Sequence, residues 1–113
     1  MTKEYYGTIF IKDEELKKEK IKYPIELKYY KTKTIKKTKM GKKYTEYGVE
    51  IIEKRYTKQK PTEENNIKTN ITINEEKINK ILDKMITNEV MPINLEDVAR
   101  DLLIENHIKK FKK

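Results

Sequence analysis

The chain has 113 residues, the size of a single domain, and 41% of them are charged. It contains no Cys, which excludes disulfides and thiolate metal ligands. No stretch approaches the roughly 20 apolar residues of a membrane helix, and the N-terminus has no apolar run of signal-peptide type. We therefore expect a cytoplasmic protein that does not associate with membranes.

The positive charge is concentrated in the first half of the chain. Residues 1–62 hold 18 Lys and Arg against 9 Asp and Glu, whereas residues 63–113 hold 9 against 10. The segment from Lys28 to Lys43 holds eight lysines and no acid, which equals the net charge of +8 of the whole chain. This segment is the feature from which a functional prediction has to start.

The first predicted elements are two strands. Tyr5 to Ile11 is a short β-branched and aromatic run, typical of a strand. Lys12 to Lys20 is almost wholly charged and predicts a solvated connection. From Ile21 to Tyr29 apolar and polar residues alternate, which predicts a half-buried strand. Pro24 has no N–H to donate, so this strand is expected at an edge or with a bulge.

A hairpin follows, with Met40-Gly41 as its turn signal. The apolar parity changes at Tyr29-Tyr30, which predicts a bulge or a strong twist in the first strand of the hairpin. Tyr44 to Tyr56 is the second strand. Gly41 can adopt the positive φ that a tight turn requires. We expect Met40-Gly41 to be a two-residue loop.

That loop length predicts the register of the hairpin. The expected cross-strand pairs are Thr34 with Tyr47, Thr32 with Val49 and Tyr30 with Ile51. They share one apolar face, and a slip by one residue would turn every side chain to the other face. The lysines expected together on the opposite face are Lys31, Lys33, Lys37 and Lys39.

The second half predicts a short strand and two helices. Ile67 to Ile73 is a possible final strand. The first helix is indicated by Ile78, Ile81, Leu82, Met85 and Ile86 at helical spacing. Its N-terminus is capped either by Asn74 or by Thr72 with Glu75 three residues later. The stripe of the second helix comprises Leu95, Val98, Ala99, Leu102 and Leu103. Asn94 is its predicted cap, with Glu96 and Asp97 in the first turn.

These elements predict an α+β fold: an antiparallel β-sheet of three or four strands, including the basic hairpin, followed by two packed C-terminal helices. We expect one domain over residues 1–113. Its predicted parts are a basic β-hairpin half (1–57), a linker (58–66), a two-helix half (67–108) and a basic tail (109–113). The two helices allow an atypical winged-helix variant, in which the hairpin comes before the helices. The second helix exposes Glu96, Asp97, Asp101 and Glu105, so it is a poor recognition helix.

The second half also resembles a known family. The residues that carry the resemblance are Tyr47-Gly48-Val49-Glu50-Ile51, and then Val90-Met91-Pro92-Ile93-Asn94-Leu95-Glu96-Asp97-Val98 with Asp101-Leu102-Leu103. They resemble a family of small Gram-positive bacterial proteins of unknown function, with a Tyr-Gly β-hairpin, two helices and a Val-x-Pro-x-x-Leu-x-Asp-Val motif. Leu102 stands where the family tends to have an aromatic residue. The resemblance implies a fold and no activity.

No group of residues predicts an enzyme or a cofactor site. The single histidine, His107, falls near a helix C-terminus, where a cationic side chain is favourable. The acids Asp97 and Asp101 have Arg100 beside them. The chain contains no Ser and only three well-separated glycines, so serine nucleophiles and Gly-rich phosphate loops are absent. We expect a non-enzymatic protein with no metal, no cofactor and no small-molecule substrate.

The lysine-rich hairpin favours a nucleic-acid partner. Neutralising phosphates releases counterions, and a two-stranded ribbon fits the major groove of DNA. Duplex DNA is favoured, although the choice between DNA and RNA stays open. The candidate contact residues are Lys28, Tyr30, Lys31, Lys33, Lys36, Lys37, Lys39, Lys42 and Lys43. The alternatives are an adaptor that docks the hairpin on an acidic protein, and a solvated edge hairpin whose lysines discourage aggregation.

The biological setting that we expect is regulatory. A small basic protein of this kind suits a regulator, or an accessory protein of a plasmid or another mobile element, such as a relaxosome factor in conjugation. A homodimer is also expected, because two hairpins related by a two-fold axis would contact twice as many phosphates.

Overall fold

The structure, a computed structural model, is a four-stranded antiparallel sheet followed by two helices. It describes residues 1–11, 25–56 and 60–111, with side chains as far as Leu103. The strands lie in the order β1-β2-β3-β4, and the predicted α+β fold is confirmed. The elements are β1 (Thr2–Ile11), β2 (Ile25–Lys37), β3 (Lys43–Arg55), β4 (Thr62–Thr72), α1 (Glu75–Thr87), a 3-10 turn (Pro92–Asn94) and α2 (Leu95–Phe111).

Two predicted boundaries are wrong. The final strand begins at Thr62, so residues 62–66 of the expected linker pair with β3 instead of connecting two halves. The helix α2 continues to Phe111, so the first part of the expected basic tail is helical. The predicted connection over 12–20, the segment around Pro24, residues 57–59 and the last two lysines lie outside the described residues.

Both helices pack on one face of the sheet, which we call the covered face. Ile25, Leu27 and Tyr29 alternate along β2 and are at most 1% exposed, as the period of two predicts. The Tyr29 hydroxyl donates a hydrogen bond of 2.8 Å to the Val90 carbonyl, and burial raises the pKa of this tyrosine. The helical residues of the core are Ile78, Ile81, Leu82, Met85, Leu95, Ala99 and Leu102.

The helix N-termini differ in how they are capped. The Asn74 side chain accepts a hydrogen bond of 3.1 Å from the Lys77 N–H, which confirms Asn74 as the cap of α1. Glu75 and Glu76 lie in the first turn, where the helix dipole favours acids. Asn94, the predicted cap of α2, is instead the last residue of a 3-10 turn that leads directly into the helix.

The predicted hairpin register is wrong by one residue. The observed pairs include Tyr29 with Ile51 and Tyr30 with Glu50. The cause is the loop: the Thr38 N–H bonds to the Lys42 carbonyl at 2.9 Å, so three residues connect the strands instead of two. Gly41 at φ 79° ends this loop, as in the common three-residue hairpin. The slip moves Lys31 and Lys33 onto the covered face.

The bulge expected at Tyr29-Tyr30 lies in the neighbouring strand. The pairing of β2 with β3 is continuous, whereas in β1 Tyr5 pairs with Tyr30 and Gly7 pairs with Tyr29. Tyr6 is therefore the extra residue, and its hydroxyl donates to the Asp83 carboxylate of α1 at 2.6 Å. Burial and this hydrogen bond raise the pKa of Tyr6 to about 12.

Gly48 in β3 is required by a close approach of β4. The register between these strands shifts between the pairs Val49–Lys68 and Tyr47–Thr72, and Asn70 within the shift has φ 55°. A Cβ placed on Gly48 would lie 2.2 Å from the Lys68 carbonyl oxygen, which is far inside van der Waals contact. The irregular part of β4 can lie against β3 only because position 48 has no side chain.

Replacing this glycine should therefore destabilise the fold. We expect Gly48→Ala to lower the free energy of unfolding by on the order of 3 kcal/mol, the upper range for overpacking, because backbone atoms block the methyl group. Urea denaturation measures the change. Gly7→Ala is the matched control, since its Cβ would meet only the flexible end of Ile86 at 3.0 Å. Equal stability of the two variants would contradict the close approach.

Candidate nucleic-acid interface

The hairpin of β2 and β3 extends beyond the rest of the sheet. The pairing of β1 with β2 ends at Lys33, and the pairing of β4 with β3 ends at Tyr47. Residues 34–46 are thus a two-stranded ribbon, which we call the basic arm. Four residues in each strand at about 3.3 Å each give it a reach of roughly 13 Å before the loop. No other part of the described sheet projects in this way.

Five of the nine candidate residues lie in the basic arm. Lys36, Lys37, Lys39, Lys42 and Lys43 are all exposed. None of the five forms an ion pair with any residue that the structure describes. The only acid within the arm is Glu46, near its base. The arm therefore presents five ammonium groups that have no acidic partner in the described part of the chain.

The lysines occupy both sides of the arm and its loop. Strand alternation places Lys36 on one side and Lys37 on the other, while Lys39 and Lys42 flank the turn. Lys31, Lys33 and Lys37 stand at alternate positions of β2 and so share one side, as expected. That side is the covered face, not the face opposite the apolar residues, and Lys39 lies in the loop. Lys37 pairs directly with Lys43. Opposed like charges destabilise a strand pair, so this arrangement weakens the isolated arm.

Lys28 and Lys33 lie in the sheet and have acidic partners. Lys33 Nζ is 2.7 Å from Glu4 Oε2, and Lys28 Nζ is 3.3 Å from Glu26 Oε1. These hydrogen bonds raise the pKa of both lysines, and the one to Lys33 lowers the pKa of Glu4. Each ammonium is thus already neutralised within the fold.

Lys31 is a structural residue. Its side chain is only 6% exposed, and its Nζ lies 3.2 Å from Glu75 Oε2 at the start of α1. The same ammonium lies 5.9 Å from the centre of the Tyr6 ring. Enclosed between sheet and helix, Lys31 cannot reach a nucleic acid without leaving the fold.

Tyr30 lies on the opposite face of the sheet, which the described helices do not cover. Its ring meets the Tyr5 ring edge to face, with centroids 5.8 Å apart. Lys3 Nζ lies 4.7 Å from the centroid of Tyr30 and 2.9 Å from Glu50 Oε1. Tyr30 is therefore packed in a local cluster at the base of the arm.

Among the described residues, the acids considered for metal binding are not brought together into a group. In the described part of the chain, no three His, Cys, Asp or Glu side chains are close enough to hold a metal ion. Arg100 Nη2 lies 2.6 Å from Asp97, as the sequence spacing indicates. The His107 side chain lies outside the described residues. No helix among the described elements is long and apolar enough to cross a membrane.

Sequence reasoning missed two features of this region. One is the set of acidic partners Glu4, Glu26 and Glu75. Glu26 has a local signal, two residues from Lys28 on the same strand face, but Glu75 is 44 positions from Lys31. The other is Met40, which was interpreted only as part of a turn and is 94% exposed at the end of the arm. The length of the loop is the sequence feature from which the exposed position of Met40 could have been predicted.

The ion pair between Lys31 and Glu75 allows a test of whether Lys31 stabilises the fold, in contrast to the exposed lysines of the arm. Glu75→Gln should lower the free energy of unfolding by about 1–2 kcal/mol, because a nearly buried ammonium loses its carboxylate. Lys31→Met fills the same space without a charge and should stay within about 1 kcal/mol of the parent. Urea denaturation of both variants measures which of the two is less stable. A Lys31→Met variant that is the less stable of the two would contradict the assignment.

Comparison with known proteins places this fold in a family. No curated protein matches the chain, and no solved structure matches it. A family model described as "Family of unknown function (DUF6514)" matches residues 4–105, which include most of β1, the other three strands, α1 and most of α2. The hairpin and the two helices resemble a family without an assigned function, and the match confirms this resemblance. The chain belongs to the DUF6514 family.

Proposed function

We propose that this protein binds duplex DNA through its basic arm, as a non-enzymatic regulator or accessory protein in the cytoplasm. The observation that carries the proposal is a projecting ribbon with five lysines that form no ion pair with a described residue, among them Lys37 directly opposite Lys43. This repulsion is relieved when phosphates lie beside both ammonium groups. Features that cost stability without helping the fold are expected at functional sites.

The dimensions of the arm support a duplex as the partner. Paired strands lie about 4.8 Å apart, and the major groove, about 12 Å wide, admits a two-stranded ribbon. Phosphates line both walls of this groove. Lysines on both sides of the arm can therefore meet both walls at once. A ribbon made for one flat anionic surface would need its charge on one side only.

The exposed side of α2 does not offer a competing contact. The exposed side of α2 carries Glu96 and Asp97, whose side chains are 72% and 76% exposed, together with Asp101. These acids repel phosphates, so α2 is unsuited to lie in a groove. Lys68 and Arg100 are the nearby bases, and both are in ion pairs with these acids. The arm is thus the part of the described chain best suited to a polyanion.

The salt dependence of binding tests the proposal. If all five arm lysines meet phosphates, log K should fall with log[salt] at a slope of about −4.5 on duplex DNA. Lys39→Gln together with Lys42→Gln should reduce the magnitude of this slope by about 1.8, because two phosphate contacts are lost. Fluorescence anisotropy with a labelled duplex at several salt concentrations measures both values.

The matched control removes the same charge elsewhere. Lys77→Gln with Lys80→Gln alters two exposed lysines of α1 that form no ion pair with a described residue. This control should keep the parent slope. Equal losses in the two double variants would show that net charge alone drives binding, which contradicts a contact through the arm. A parent with no salt-dependent affinity for duplex DNA would reject the proposal in favour of an acidic protein partner.

A further inference from the structure

The end of the basic arm is a well-defined turn with an apolar tip. The Gly41 N–H bonds to the Thr38 carbonyl at 2.9 Å, and the Lys42 N–H bonds to Thr38 Oγ1 at 3.1 Å. With the strand-closing bond from Thr38 to Lys42, these contacts fix the loop in one conformation. Met40 stands at its apex and, at 94%, is the most exposed large hydrophobic residue of the described chain.

The position of Met40 is unusual because every side chain near it is polar or charged. Lys39 and Lys42 flank it, and Lys37 and Lys43 follow behind. A lone apolar residue on a surface needs no explanation, but this one is held at the leading point of a projecting ribbon. When the arm enters a groove, Met40 is the first residue to contact the floor of that groove.

The charge pattern indicates how the arm enters. Lysines on both sides of a ribbon suit a groove with two anionic walls, and they leave the tip to face the floor between the walls. In the major groove of DNA that floor consists of base edges. Most groups there are hydrogen-bond donors and acceptors, and the apolar group is the C5-methyl of thymine. An exposed thioether side chain is complementary to that methyl and is flexible enough to adapt to it.

We propose that the arm enters the major groove tip first and that Met40 contacts thymine methyl groups on the groove floor. This inference rests on the proposed function and adds a base preference to it. The lysines supply affinity that is independent of sequence, through the phosphates. Met40 supplies a preference for duplexes with thymine at the contacted positions. It is the specificity-determining residue of the arm.

The experiment compares two duplexes that differ only in this methyl group. One is an A·T-rich duplex, and the other has the same sequence with every thymine replaced by uracil. The parent should bind the thymine duplex about fourfold more tightly for each methyl contacted, the value expected for burying one methyl-sized group. Both affinities are measured by fluorescence anisotropy at the same salt concentration.

Two variants show whether Met40 is responsible. Met40→Gln keeps the length of the side chain but removes its apolar end, so the two duplexes should become equal in affinity while the salt slope stays at the parent value. Met40→Leu keeps an apolar end and should retain the preference for thymine. Because position 40 is almost fully exposed, neither change should disturb folding. Circular dichroism and thermal melting check that both variants are folded.

The outcomes separate this inference from the proposed function. A parent that binds both duplexes equally, with a steep salt slope, overturns the role of Met40 and leaves the arm as a phosphate contact. A Met40→Gln variant that keeps the full preference overturns it as well, since the preference would then come from another residue or from duplex shape. A parent that binds neither duplex overturns both proposals.

Discussion

The register of β2 against β3 decides which side chains of the hairpin face the helices. A three-residue loop ending at Gly41 pairs Tyr29 with Ile51 and places both on the covered face. From there the Tyr29 hydroxyl reaches the Val90 carbonyl between the two helices. The same register turns Lys31 toward Glu75 at the start of α1. A shift by one residue would withdraw the tyrosine from the core and expose this lysine.

The sheet divides one continuous lysine segment into two groups with different roles. As far as Lys33, the lysines have acidic partners: Glu4 on β1, Glu26 on β2 itself and Glu75 at the start of α1. Beyond Lys33 neither β1 nor β4 continues, so the arm lysines have no acidic neighbours from adjacent strands. The positions of these acids, more than the count of lysines, decide which lysines lack an acidic partner among the described residues. Composition alone therefore overstates the size of the candidate interface.

Much of the fold could be predicted from local patterns, and the failures have physical causes. Alternation located β2, the helical stripes located α1 and α2, and Asn74 was recognisable as a cap. The register was not predictable because two-residue and three-residue loops both suit Met40-Gly41. The predicted and the observed register also both place a tyrosine opposite Ile51, Tyr30 in the first and Tyr29 in the second, so both give a partly apolar face. The polar sequence of residues 62–66 predicts a linker, whereas an edge strand can form with few apolar residues. The partner of Lys31 depends on packing between distant segments and has no local signal.

The features of the arm that break the ordinary rules of stability are concentrated at one end. Lys37 opposes Lys43, and Met40 is held in the open by a turn with three supporting hydrogen bonds. None of these residues contributes to the core, whose sheet residues lie outside the arm. A ribbon that served only to close the hairpin could be shorter and less charged. In the proposed complex, phosphates on two walls would account for the lysines, and an apolar group between the walls would account for Met40. The two interactions are physically separable, because salt screens the first and acts little on the second.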